Sequence, residues 1–86
     1  MFYVYVLKSK KDGRLYIGST NDLRKRLNEH NQSLNKSTKY RTPLVLVYYE
    51  AYQSEKDART RESKLKQFKN SYAELKKRIS NSIELT

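Results

Sequence analysis

A small α+β domain with the element order β-β-α-β-α-α is what this 86-residue sequence predicts. Three observations carry that reading. Two short runs rich in β-branched and aromatic residues, FYVYVLK and RLYIG, flank a turn signal. Apolar residues then recur at helical spacing from Leu23 onward. A third apolar run, Leu44 to Tyr49, precedes two further stretches that begin with helix-starting residues.

The hairpin comes first, with residues 2–8 and 14–18 joined through Lys11-Asp12-Gly13. A strict two-residue turn at Asp12-Gly13 would set Tyr16 opposite Ser9. A longer loop of residues 9–12 would set Tyr16 opposite Tyr5 instead. In both registers the period-two alternation of strands puts the two rings on one face.

Ser19-Thr20-Asn21-Asp22 is a helix-starting cluster, after which Leu23, Leu27, His30 and Leu34 form one stripe, with Arg26 on its edge four residues before His30. The polar, basic stretch Asn35 to Pro43 reads as a loop, and Pro43 holds Thr42 extended at the entry to a strand. That strand, Leu44 to Tyr49, is continuously apolar and is expected to be the most buried one. Ser54-Glu55-Lys56-Asp57 opens a second helix that carries Ala58, Glu62 and Leu65 on one face, where Glu62 is the odd member. Ser71-Tyr72-Ala73-Glu74 matches a capping box and is expected to start the last helix, with Tyr72, Leu75 and Ile79 turned inward. Beyond Ser80 the polar tail is expected to fray. Without a repeat, linker or low-complexity tract, residues 1–86 are expected to form one domain.

Charge narrows the function. Nineteen Lys and Arg face nine Asp and Glu, a formal net charge of +10. So large an excess repels itself in a compact fold and points to a polyanionic partner, nucleic acid first and an anionic membrane surface second. The basic residues belong to the folded surface: Lys8, Lys10, Lys11 and Arg14 flank the turn, Arg24 to Arg26 sit together, and Lys36, Lys39 and Arg41 fill the loop. The chain has no Cys, so disulfide scaffolds and thiolate zinc sites are excluded and a reducing, cytoplasmic setting is expected. The longest apolar stretch falls far short of the roughly 18 residues of a membrane span.

The candidates for chemistry are Tyr5, Tyr16, Arg26, His30 and Glu62. Each taken alone has a structural explanation: packing for the tyrosines, solvation for Arg26, a helix-edge position for His30, an i+4 pair with Lys66 for Glu62. Together they fit phosphodiester hydrolysis, which needs an activated water and cations around the phosphoryl oxygens. Arg26 offers a charge-assisted fork to those oxygens. Glu62 offers a carboxylate to one divalent ion of the kind that keeps water and phosphate among its ligands. A tyrosine takes a proton only as phenolate, about one part in a thousand at neutral pH for an unperturbed phenol, and neighbouring cations are expected to lower its pKa.

These residues resemble a known family. Tyr3-Val4-Tyr5, Tyr16-Ile17-Gly18, Asp22-Leu23-Arg24-Lys25-Arg26-Leu27 and Glu29-His30-Asn31 are similar to the motifs of GIY-YIG nuclease domains. Pro43 to Glu50 and Ala58 to Lys66 are similar to the small standalone bacterial type, related to the catalytic domain of the excision-repair incision subunit. The likeness spans residues 2–69, and its specific element is the ordered set with an Arg ten residues after the second Tyr.

The resemblance implies a three-stranded antiparallel sheet flanked by helices and metal-dependent cleavage of DNA. Tyr5 and Tyr16 would be the motif tyrosines, one of them acting as or assisting the general base. Arg26 would be the transition-state arginine, His30 the helix histidine, Gly18 the motif glycine, and Glu62 the ligand of one Mg2+ or Mn2+ ion. Lys8, Arg14, Arg24, Lys25, Lys39 and Arg41 would contact phosphates. The shared tyrosine face favours the longer-loop register.

Two departures stand out: Tyr3 replaces the first motif's Gly, and Ser19 stands where the repair subunit carries a lysine. The expected function is a DNA endonuclease that reads backbone and shape. The alternative is a nucleic-acid-binding module with weak or absent cleavage. A third reading is an interaction adaptor or a membrane-surface protein.

Overall fold

The computed structural model describes residues 1–34, 36 and 38–85. Its elements are β1 (Phe2–Ser9), β2 (Leu15–Thr20), α1 (Leu23–Asn31), β3 (Leu44–Tyr52), α2 (Glu55–Gln67), α3 (Lys69–Arg78) and α4 (Ser80–Glu84). The strands form an antiparallel sheet in the order β2-β1-β3. Helix α1 covers one face, where Leu23 and Leu27 pack on Tyr5, Leu7 and Leu44. On the other face Ala58, Leu65, Leu75 and Ile79, from α2 and the chain that follows it, pack on Val4, Val6 and Ile17. Among the described residues no helix is long and apolar enough to cross a membrane.

The hairpin adopts neither expected register. Tyr16 pairs with Leu7, and Tyr5 pairs with Gly18. The loop is residues 10–13: the Ser9 N–H donates to the Arg14 carbonyl, the Gly13 N–H donates to the Ser9 carbonyl (both 2.9 Å), and Gly13 takes a positive φ of 73°. The buried Ser9 hydroxyl sets this loop length. It accepts from the Lys11 and Asp12 N–H groups at 3.1 and 3.2 Å and donates to the Arg41 carbonyl at 2.6 Å. Tyr5 and Tyr16 do share a face, as diagonal neighbours with ring centroids 6.3 Å apart.

β1, not β3, is the most buried strand, because it is paired on both edges while β3 has one edge open. The unbroken apolar run of β3 has its own cause. A bulge shifts the register between Val6 and Leu7, so Leu44 and Leu46 join the α1 side while Val47 and Tyr48 join the other core.

Helix α1 ends at Asn31, one turn earlier than the stripe to Leu34 suggests. Ser33 takes φ 61°, its N–H donates to the His30 carbonyl at 3.1 Å, and the Leu34 N–H donates to the Glu29 carbonyl at 3.0 Å, which is a Schellman closure. Leu34 is left exposed. The Asn31 side-chain amide then grips both backbone groups of Leu44, at 2.9 and 2.7 Å, and ties the helix end to β3. Asn35 and Ser37, within the stretch read as a loop, lie outside the described residues, as does Thr86 of the tail.

α2 starts at Ser54 as expected, with the Ser54 side chain accepting from the Asp57 N–H. The Ser71 capping box does not form. Phe68 breaks the chain with φ −112° and ψ 115°, and α3 starts at Lys69, so Ser71 lies inside the helix. The tail from Ser80 folds as α4: Ile83 packs on the core and its carbonyl accepts from Lys8 Nζ at 2.9 Å. A partly buried carboxylate fixes the rotation of α2. Glu50 on β3 accepts from Arg61 Nε and Nη2 at 2.9 and 3.0 Å and from the Tyr48 and Tyr52 hydroxyls at 2.7 and 2.6 Å. With Arg61 held toward β3, the next residue, Glu62, is turned toward β2.

Candidate active site

The site forms along β2, the sheet edge where groups from the two faces meet. Tyr5 lies on β1 directly across from Gly18, and its side chain passes over that glycine. A Cβ at Gly18 would overlap the Tyr5 hydroxyl and Cζ. The phenol reaches His30 on α1, with its oxygen 3.0 Å from Nε2, and His30 Nδ1 lies 2.7 Å from the Thr38 hydroxyl. Whichever ring nitrogen carries the proton, His30 links Tyr5 to Thr38. Arg26, one helical turn before His30, donates from Nε to the Tyr5 oxygen at 3.4 Å and from Nη1 to Glu29 at 3.2 Å. The His30 ring stands edge-on to both tyrosines, with centroids 5.9 Å from Tyr5 and 4.9 Å from Tyr16.

Glu62 arrives from the opposite face through α2. Ser19 on β2 donates to Oε1 at 2.6 Å, and Lys66, one turn further along α2, donates to Oε2 at 2.8 Å. Lys66 Nζ also lies 5.8 Å from the Tyr16 ring centroid, so one ammonium joins the carboxylate to the second motif tyrosine. A depression of about 260 Å³ opens beside them, lined by Tyr16, Lys66, Leu65 and Tyr72 among others.

Burial sets the protonation states on the α1 side. It pushes the Tyr5 phenol up to about 12, outweighing the hydrogen bond from Arg26 that pulls it down. Cations nearby therefore do not lower this tyrosine, contrary to the expectation from its neighbours. Burial, with the Arg26 charge adding, pushes the His30 imidazole down to about 4. Arg26 is held more firmly protonated by its hydrogen bond to Tyr5. At Glu62 burial works against the charge, but the hydrogen bonds from Lys66 and Ser19 overcome it and hold the carboxyl below its ordinary value.

His30 is the chain's one histidine and gives a clean pH signature. Its folded pKa of about 4 lies below the ordinary 6.5, so the unfolded chain binds the extra proton. Stability is fully present above pH 6.5 and falls as pH drops toward 4. At pH 5 the expected loss relative to pH 7 is on the order of 2 kcal/mol. Urea unfolding across that range reads it directly, and a stability that is level from pH 7 to pH 5 would contradict the buried neutral imidazole.

The structure thus brings Tyr5, Tyr16, Arg26 and His30 together on one face and links Glu62 to them across the β2 edge. Tyr5 and His30 are 1% and 0% exposed, so neither meets solvent. Tyr16 is partly exposed, and its hydroxyl makes no hydrogen bond to another described residue. Gly18 is buried under Tyr5. Arg24 and Lys25 extend from the exposed face of α1 beside Arg26, and Arg14 and Lys39 are exposed in loops. Lys8 and Arg41 have structural partners instead: Lys8 holds α4, and Arg41 donates to the Leu15 carbonyl at 3.3 Å and pairs with Asp12 at 3.5 Å.

Sequence reasoning missed three contributors. Lys66 was legible only as an i+4 partner of Glu62, although the same spacing turns it toward Tyr16. Ser19 proves to be a hydrogen-bond donor to Glu62, and nothing in the polar loop singled out Thr38, which is fully buried against His30.

No group of three or more His, Asp or Glu side chains that could hold a metal ion occurs among the described residues. Glu62 supplies a hard oxygen donor here. One carboxylate suits magnesium, which keeps several waters and takes further oxygens from phosphate. Lys66 engages the same carboxylate, so an ion and the ammonium would compete for Oε2.

Comparison with known proteins identifies the family. The family described as the GIY-YIG catalytic domain matches residues 1–79. UPF0213 protein CPE1444 of Clostridium perfringens is 45% identical over 67 residues, which cover 77% of this chain and 71% of the relative. UPF0213 protein SSP2268 of Staphylococcus saprophyticus is 42% identical over 67 residues, covering 77% and 80%. The solution NMR structure of UPF0213 protein BH0048 from Bacillus halodurans superposes with a TM-score of 0.54 at 34% identity, over 87% of this chain and 81% of that one.

Proposed function

The chain belongs to the GIY-YIG catalytic domain family, and on that footing we propose that it is a metal-dependent endonuclease that hydrolyses DNA phosphodiesters, directed by DNA structure rather than sequence. One observation carries the reading: Tyr5, Tyr16 and Arg26 from the α1 face, and Glu62 with Lys66 from the α2 face, meet along the β2 edge. A bacterial cytoplasm, where the chromosome lies, is the setting that goes with it.

In this reading Tyr16 is the working phenol, since it alone of the two tyrosines faces the open side. Its oxygen holds and orients the attacking water and assists the base that removes the water's proton, with the Lys66 ammonium 5.8 Å from the ring centroid. Arg26 donates to the phosphoryl oxygens as charge builds there. Tyr5 and His30 are positioning residues: a phenol pushed up to about 12 stays protonated at neutral pH, its hydroxyl accepts from Arg26, and the His30 ring bonded to it stands edge-on against Tyr16. Glu62 would hold one Mg2+ or Mn2+ ion, which when bound supplies charge neutralisation at the scissile phosphate.

The test is cleavage of branched, flapped, single-stranded and blunt duplex DNA with Mg2+ or Mn2+ and with chelator. Cutting of branched or flapped DNA that disappears with chelator and in Tyr16→Phe is expected. Binding that weakens steeply with salt but never yields product would overturn the enzyme reading in favour of a binding module.

A further inference from the structure

A groove lies away from the candidate active site, along the solvent face of α2. It has a volume of about 630 Å³ and is lined by Lys56, Arg59, Ser63, Lys64, Gln67 and Phe68 among others. Arg59 is tied to Glu55 by an exposed ion pair at 3.3 Å, whereas Lys56 and Lys64 form no ion pair among the described residues. The groove is therefore cationic and lined with hydroxyl and amide groups.

Phe68 at its end is anomalous. It is 55% exposed and joins neither apolar cluster. It also occupies the junction between α2 and α3, where it makes no side-chain capping bond and where Ser, Asp or Asn would stabilise the new helix. An aromatic ring that is neither packed nor capping, set beside unpaired lysines, has the make-up of a stacking platform for a nucleic acid base. Phe68 follows Glu62 by six positions, about 9 Å along a helix. Arg59 lines both this groove and a smaller one bordered by Ser19, the residue bonded to Glu62.

We propose that the α2 groove binds an unpaired single-stranded segment of nucleic acid, with its phosphates on Lys56, Arg59 and Lys64 and a base stacked on Phe68. The proposal builds on the nuclease reading and supplies its selectivity for structure. A duplex keeps its bases stacked inward and cannot use the ring, whereas a flap or frayed end can.

The test is run in chelator, so that cleavage plays no part. Equilibrium binding is measured with flapped and blunt duplex substrates, made with deoxy and ribo flaps and carrying 2-aminopurine in the flap. The flap is expected to bind about tenfold more tightly than the blunt duplex and its fluorescence to be quenched. Phe68→Leu should remove both effects and leave duplex binding unchanged, and Phe68→Tyr should keep both. Replacing Lys56 and Lys64 together by Gln should reduce the salt slope of flap binding by about 1.4. Quenching and preference that persist in Phe68→Leu would overturn the proposal, as would a wild type that binds flap and duplex alike. So would a Phe68-dependent affinity for phosphatidylserine vesicles that exceeds the affinity for the flap. A protein that cuts DNA without regard to Phe68 sinks this inference alone; one that stacks a flap on Phe68 and never cuts sinks the nuclease reading alone.

Discussion

Arg26→Ala is expected to slow metal-dependent DNA cleavage about a thousandfold under single-turnover conditions while changing substrate affinity only a few-fold. The guanidinium contributes most where charge accumulates on the phosphoryl oxygens, so its removal falls on the rate rather than on binding. Its structural contribution is small. The Glu29 pair is partly exposed at 3.2 Å and the bond to Tyr5 is long at 3.4 Å, so the loss in stability should stay within about 1 kcal/mol. Arg26→Lys should not restore the rate, because an ammonium cannot keep the Tyr5 contact and present a planar fork at once. A rate for Arg26→Ala within tenfold of wild type would remove the arginine from the chemistry.

The second large effect is on the fold. Gly18→Ala should destabilise the protein by about 2–4 kcal/mol. The new methyl would occupy the place of the Tyr5 hydroxyl and ring carbon, and Tyr5 has nowhere to go. Moving the phenol breaks its bond to His30 and leaves the buried Nε2 of that ring without its partner. Shortening the ring side chain at the same time, in Gly18→Ala with Tyr5→Leu, should recover part of the loss, since the methyl then meets a smaller neighbour. Urea unfolding of both variants reads the effect, and a Gly18→Ala protein within 0.5 kcal/mol of wild type would contradict the close approach. The motif glycine is thus explained by packing: it makes room for the motif tyrosine across the strand pair.

Much of this was legible in the sequence, and the gaps have physical causes. The elements were readable because their periodicity is strong, and Tyr5 and Tyr16 share a face in both expected registers as well as in the observed one, since the three differ by steps of two residues. The register itself was not readable, because the Ser9 hydroxyl fixes it through contacts with residue 41, far along the chain. Burial of β1 over β3 depends on strand order, which an apolar run does not state. The early end of α1 follows from a positive φ at Ser33, a non-glycine residue that gives no turn signal. At the site, Glu62 was visible as a carboxylate on an apolar helix face. Its dependence on Ser19 and Lys66 was not, because those contacts exist only once α2 lies along β2. The break between α2 and α3 was expected just before Ser71 and falls at Phe68 instead, where no capping side chain marks it.

The account's central claim is that groups from the two faces of the sheet form a single phosphate-cleaving unit at the β2 edge. Single-turnover cleavage of a flapped DNA in Mn2+ by wild type, Arg26→Ala, Glu62→Gln and the double variant tests it most directly. The account predicts a double variant no slower than the slower single one, because a unit already broken loses little more. Losses that multiply, as for independent sites, or a wild-type rate equal to the chelator control, would contradict it.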